Sequence, residues 1–353
     1  MSILVKIRVA ILSLLLLFVI LSSVNVHVAE FYSLVIYPAV SFILSFVSSI
    51  VPFSLDEWGI LLMILILICF PFIVRLKYHK KWKTIIIGET EIILWIYVWF
   101  YIGWGINYYR TSFFTRMETK PARFDEKVFK HFIYQYTDSV NKYYCEIDTL
   151  IYADVHRKIK SVYSCLSPSY GLAVPRSFQN PKKLCFDSLY SSCGVLGFMG
   201  PFFSESHINH DVTPLEYPFT YAHELSHLLG ISSEAEANFW AYQICISSEC
   251  SEIKYSGYFG LFSYVLVNAR YLLSEDDYNN WIETVRPEVK IQFNEKRKYW
   301  SSLYSPLLGN IQSAIYDIYL KGNRVSSGQK NYAEVIGLLL SLSETDKIKF
   351  AEN

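Results

Sequence analysis

The sequence predicts a membrane-anchored α+β protein, with N-terminal transmembrane helices followed by a mostly helical domain that carries a small β-sheet. Three observations predict it. Long apolar runs fill the first third of the chain, helical spacing of apolar residues dominates the remaining two thirds, and one stretch broken by glycine and proline interrupts that spacing. Composition fits: 52% of the 353 residues are hydrophobic and mean hydropathy is +0.23. Lys+Arg and Asp+Glu balance at 32 each with no basic stripe, which argues against nucleic-acid binding.

The apolar runs come first. Residues 9–24, 58–74 and 85–106 read as spans, the first preceded by Lys6 and Arg8, the third rich in Trp and Tyr. Residues 31–51 are also apolar, but Pro38 and many serines interrupt them, so this stretch reads as an interfacial or re-entrant helix. Charge sets the count. Arg75, Lys77, Lys80, Lys81 and Lys83 lie between two spans and belong in the cytoplasm, whereas Asn25 to Asp56 contains no Lys or Arg. Three spans keep both basic clusters inside, and four would export Lys6 and Arg8. Residues 1–106 are therefore expected to form a membrane anchor, with 107–353 on the outer side. No small-residue cleavage pattern follows the first run, so it reads as a retained span.

The outer segment is long enough for one core-bearing domain. Residues 127–144, 255–273, 278–285 and 306–319 show helical spacing, and their aromatic density reads as packing core. Between Gly171 and Asn209 the glycines and prolines favour short extended pieces, hence the small sheet. Six of the seven cysteines fall in this domain, as disulfides or as buried thiols, and no C-x-x-C spacing suggests a cysteine metal site. The tail from Ser343 is polar and is expected to fray.

The chemistry lies in His223-Glu224-Leu225-Ser226-His227. Pro218 suits the first turn of a helix and Gly230 its end, so the motif fills about three turns. Four residues apart, His223 and His227 share one face and can both reach one Zn²⁺, while Glu224 can act as general base on a water. A tetrahedral catalytic zinc needs a third protein ligand and one open position. Glu234 and Glu236 both compete for that role, and two residues apart on a helix they point to nearly opposite sides. Glu234 shares its face with Ala237, Asn238 and Ala241, small residues that permit close helix approach, so it is the expected ligand and Glu236 the alternative. Asn238 is placed to accept an N–H from one histidine and fix its tautomer. Gly230 also resembles the metzincin H-E-x-x-H-x-x-G-x-x-H pattern, but that register puts Ser233, a poor ligand, in third place. His207 and His210, on the preceding loop, read as surface residues rather than as extra ligands or transition-state helpers. Tyr264, Arg270 and Tyr271 are the downstream groups available to stabilise an oxyanion.

H-E-x-x-H followed by Glu234-Ala235-Glu236-Ala237-Asn238 resembles the gluzincin metallopeptidases. Residues 197–209 (GFMGPFFSESHIN), 218–227 (PFTYAHELSH), 234–239 (EAEANF) and 316–323 (YDIYLKGN) are similar to the DUF3810 family of bacterial membrane proteins. The resemblance implies a zincin-like domain with Glu234 as third zinc ligand, and a bacterial inner-membrane location. It also implies a sheet edge near Ser206 to Asn209 that binds substrate backbone. The function expected is hydrolysis of an amide bond in a peptide or envelope protein, outside the cytoplasmic membrane. The alternatives are a zinc-binding, non-catalytic envelope scaffold, against which intact Glu224 argues, and a transport component, for which the spans carry few ionisable groups.

Overall fold

A computed structural model describes residues 2–323 and 335–342; the tail from Ser343 lies outside these described residues. The helical elements in order are α1 Ile3–Val24, α2 Val26–Phe31, α3 Tyr37–Ser49, α4 Leu55–Leu76, α5 Trp82–Gly103, α6 Phe113–Arg116, α7 Glu126–Tyr143, α8 Tyr152–Leu166 and α9 Asp187–Ser192. Strands β1 Gly197–Gly200 and β2 Glu205–Ile208 follow, then α10 Tyr217–Leu228, α11 Glu234–Ile246, α12 Ser251–Leu272, α13 Glu275–Thr284, α14 Pro287–Leu303, α15 Pro306–Gly322 and α16 Val335–Leu340. Contacts divide the chain into one unit of 1–111 with 199–205 and a second of 112–198 with 206–353.

In the first unit, four helical segments are long and apolar enough to cross a membrane: Ile3–Val24, Val26–Ser49, Leu55–Leu76 and Trp82–Gly103. The second is longer than the 31–51 stretch read from sequence. Asn25 caps its start by accepting from the backbone of His27 and Val28. Pro38 has no N–H to continue the ladder, and a π-helical turn at Tyr32–Ile36 joins α2 to α3 there.

Named contacts set the helix directions in this unit. Near their N-terminal ends α1 and α5 meet through Arg8 Nε and Glu91 Oε1, 2.6 Å apart. Towards their C-terminal ends, Val19 of α1 shares an apolar cluster with Tyr101 and Trp104. These two helices therefore run in the same direction. α4 runs against them, since Phe70 fills the space beside Gly88 across the 77–81 turn and both α4 and α5 reach Phe203 at the other end. The α2–α3 segment consequently begins and ends at one end of the bundle. At its start Tyr32 donates to the carbonyl of Ile102 at 2.7 Å and Glu30 pairs with Arg110 at 2.9 Å; further along, Leu44 reaches Gly103. At the same end Glu205 accepts from the backbone N–H of Leu55 and Asp56, and Asp56 accepts from those of Phe202 and Phe203. Carboxylates thus satisfy donors at the first turn of α4 and in the 202–203 turn.

The second unit is built around α11, which is buried from Glu234 through Cys245. A helix buried on every side needs neighbours all round; α10, α12, α8 and α16 supply them. α7 lies on α12, and α13 closes over α7 through Trp281, whose Nε1 donates to Thr137 Oγ1 at 2.9 Å. The stretches expected at 127–144, 255–273, 278–285 and 306–319 correspond to α7, α12, α13 and α15. α8 and α14 are additional. Among the described residues no disulfide joins the cysteines, and of the six in the outer segment Cys245 is buried while Cys165 and Cys185 are exposed.

His156 on α8 sits under the start of α10, its Nε2 2.8 Å from the hydroxyl of Tyr217 and its ring against Tyr221. Burial, with the nearby Lys160 charge, pushes its pKa down from 6.5 to about 4. Between those values the unfolded chain binds a proton that the folded chain refuses. Stability from neutral His156 is therefore full above pH 6.5 and is lost as pH falls towards 4, by up to ~3 kcal/mol. Thermal unfolding of the detergent-solubilised protein is expected to show this acid loss, and His156→Gln to flatten it while lowering stability at pH 7. An unchanged slope in the variant would assign the acid loss to other groups.

Candidate metal centre

Local sequence builds the site before packing completes it. Pro218 opens α10, and Gly230 ends it in a left-handed conformation (φ 99°) that lets Ile231 donate back to the carbonyl of Ser226 at 3.1 Å. Ser233 then caps α11, its hydroxyl accepting from the Glu236 N–H. Only five residues separate α10 from α11, and this turn folds the second helix back so that Glu234, at its first position, faces His223 and His227.

The three side chains converge tightly. His223 Nε2 lies 3.1 Å and His227 Nε2 3.6 Å from Glu234 Oε2, and the two imidazole nitrogens are 3.2 Å apart. A divalent ion with tetrahedral N/O bonds of ~2.0–2.1 Å separates its ligand atoms by ~3.3 Å, so the triangle fits such an ion. The outer atoms of the imidazoles are also held. His223 Nδ1 donates to Asn238 Oδ1 at 3.0 Å and His227 Nδ1 to the carbonyl of Ile231 at 2.7 Å, which directs the Nε2 lone pairs inward. Asn238 in turn donates from Nδ2 to the hydroxyl of Tyr264 at 3.1 Å.

The three side chains are electrostatically coupled. Burial opposes ionisation of Glu234, but His227 and His223 outweigh it and hold this carboxyl well below the usual range. Burial likewise opposes charge on His227, yet Glu234 and then Glu224 raise it to about 9. Glu224 is coupled to the same three groups. Its carboxyl is buried, and Oε2 has no hydrogen-bond partner among the described residues. Burial pushes its pKa up to about 7, against the pull of His223 and His227 and with a push from Glu234.

Beside Glu224 runs β1. A Cβ on Gly197 would stand 2.9 Å from Glu224 Cγ and 2.6 Å from the carbonyl oxygen of His207, so only glycine permits this approach. Ser206–Asn209 is not the exposed edge expected; among the described residues, β1 is the strand with no second pairing. β2 pairs with β1 on one side, and on the other Lys182 donates to the carbonyl of Ser206 at 2.8 Å. All four residues of β2 are buried.

A family model described as "protein of unknown function (DUF3810)" matches residues 32–340, from the π-helical turn that follows α2 to the end of α16. The chain belongs to the DUF3810 family. No curated protein and no solved structure matches it. The matched region of this DUF3810 chain includes α10, β1, α11 and α15, so the converging residues lie within the family's span.

The remaining sequence candidates are distributed as follows. Glu236 is turned away from the histidines to Arg116 and to Trp240 Nε1. His207, expected at the surface, is fully buried, its ring stacked on Phe198 with centroids 4.4 Å apart. His210 is exposed and sits between Asp187 and Asp211. Of the oxyanion candidates, Tyr264 adjoins the site through Asn238, whereas Tyr271 is exposed and Arg270 lies over the ring of Tyr278. Three contributors escaped the sequence reading. Gly197 reads in the sequence as a breaker and as part of a family segment, Tyr316, whose hydroxyl donates to Glu234 Oε1, as part of a helix and of a family segment, and Arg116 carries no reading there.

Proposed function

We propose that this protein is a membrane-anchored zinc metallopeptidase, a zincin-like amide hydrolase acting outside the cytoplasmic membrane of a bacterium. The single observation that carries the reading is the triangle of His223, His227 and Glu234, with Glu224 Oε2, on the histidine helix, buried and without a hydrogen-bond partner among the described residues. When bound, zinc would supply Lewis acidity, lowering the pKa of a water and polarising the scissile carbonyl. Glu224 takes the proton of the attacking water on its carboxylate and delivers it to the leaving nitrogen. Asn238 and the Ile231 carbonyl keep the two imidazoles in the ligating tautomer. The open edge of β1 offers backbone N–H and C=O groups to an extended peptide. Elemental analysis of the purified full-length chain, with peptide cleavage compared between wild type and Glu224→Gln, tests the reading. Well-folded protein that takes up no zinc would overturn it.

Orientation rests on the helix directions. Parallel α1 and α5 bring Lys6 and Arg8 to the same end as the Arg75 to Lys83 cluster, and the positive-inside rule makes that end cytoplasmic. The opposite end, where α2–α3 begins and finishes, is then outer and three spans cross. Cysteines introduced at His27, Lys80 and Lys298, in a chain stripped of its native cysteines, test this. The first and third are expected to react with an impermeant thiol reagent on intact cells and the second is not. Labelling at Lys80 would reverse the assignment.

A further inference from the structure

We propose that Tyr316 is a positioning residue that makes Glu234 a one-oxygen ligand and so keeps one coordination position open for chemistry. The inference rests on the metal-centre reading above. A histidine offers one inward nitrogen, but a glutamate has two equivalent oxygens and can chelate, which in a small site consumes the position a water or substrate needs. Glu234 divides its two oxygens. Oε2 faces His223 and His227, at 3.1 and 3.6 Å, while Oε1 takes the hydroxyl proton of Tyr316. With Oε1 held by a directed donor, swinging it onto the metal means breaking a hydrogen bond to a buried carboxylate, among the stronger kinds.

The tyrosine is delivered from far along the chain by an element that is itself fixed. α15 has Pro306 in its first turn, and the N–H of Ser305 just before it donates to the carbonyl of Ser192 at 2.9 Å. Tyr316, Tyr319, Leu320 and Asn323 recur at helical spacing on one side; Leu320 and Asn323 are buried, and the two tyrosine rings stack at 5.9 Å. Leu307, Ile311, Ile315 and Ile318 occupy the exposed side. The rotation of α15 therefore sends Tyr316 inward. The ligand set is held throughout: Asn238 on His223, the Ile231 carbonyl on His227, Tyr316 on Glu234.

Cobalt(II) reports coordination number directly, because four-coordinate Co²⁺ absorbs visible light far more strongly than five-coordinate Co²⁺. Metal-stripped full-length protein in detergent is titrated with Co²⁺ alone. Wild type is expected to give intense four-coordinate bands, Tyr316→Phe bands several-fold weaker, and Tyr319→Phe the wild-type spectrum. Affinity in Tyr316→Phe is expected to drop by roughly 10-fold, as for other outer partners of metal ligands. A wild-type spectrum in a folded Tyr316→Phe variant overturns the proposal and leaves the metal reading standing. X-ray absorption of the Co²⁺-loaded wild type does not depend on the variant folding, and a five-coordinate result there overturns the proposal too. Failure of wild type to bind Co²⁺ refutes both together.

Discussion

Replacing Glu224 by Gln is expected to leave the metal bound and to reduce peptide hydrolysis by about 10²–10⁴-fold, the range typical of a lost general base. The amide keeps the size of the side chain, so its packing against Gly197 survives. It cannot accept a proton. Glu224 is suited to acceptance because burial raises its pKa to about 7 despite the opposing histidines, near the pH at which proton transfer in both directions is effective. It contributes no atom to the 3.1–3.6 Å triangle, which is why zinc content should stay at about one ion per chain. Elemental analysis and cleavage assays on the same preparation separate the two effects. Equal cleavage by both proteins would remove Glu224 from the mechanism, and loss of zinc from the variant would make it a ligand or a scaffold residue instead.

The two neighbouring glutamates are expected to fail in different ways. Glu234→Gln removes the charge that both imidazoles face and replaces a carboxylate ligand with a poor one, so zinc should be lost at concentrations that saturate wild type. Glu236→Gln should keep zinc and destabilise the fold. Its carboxylate pairs with Arg116, and the two side chains are only 7% and 11% exposed. Removing one member of a buried pair strands the other charge at a cost of ~3–5 kcal/mol, roughly a 10 °C drop in melting temperature. Isothermal titration with Zn²⁺ and thermal unfolding give the two readouts. Zinc loss in Glu236→Gln with full binding in Glu234→Gln would transfer the ligand role to Glu236.

The local parts of this site were legible in the chain. Spacing of four places His223 and His227 on one face of any α-helix, and the 3.6-residue period separates Glu234 from Glu236 without reference to the rest of the fold. Pro218, Gly230 and Ser233 mark where α10 starts, where it stops and where α11 begins, because each acts on its own backbone or on that of near neighbours. Long-range partners were not legible. Tyr316 reaches Glu234 across 82 residues and Arg116 reaches Glu236 across 120, and no periodicity within one helix announces either. His207 was misread for the same reason. It follows a loop in sequence, but strand pairing on both sides of β2 buries it.

The apolar runs show the same boundary between what a chain states and what packing decides. Length and hydropathy determined by themselves that the first third holds membrane-type helices, since burial of about 20 apolar residues in lipid is a property of the segment alone. Spacing alone likewise put His223 and His227 on one helix face. Tertiary structure decided that α2–α3 returns to the end it left, through Glu30, Tyr32 and Leu44 against the end of α5 and the residues that follow it. It decided too that, among the described residues, β2 and not β1 is paired on both sides, and that Glu234 has one oxygen for the histidines and one for a tyrosine. Each of these is set by which surfaces meet. That choice depends on contacts between residues far apart in sequence, which local pattern does not encode.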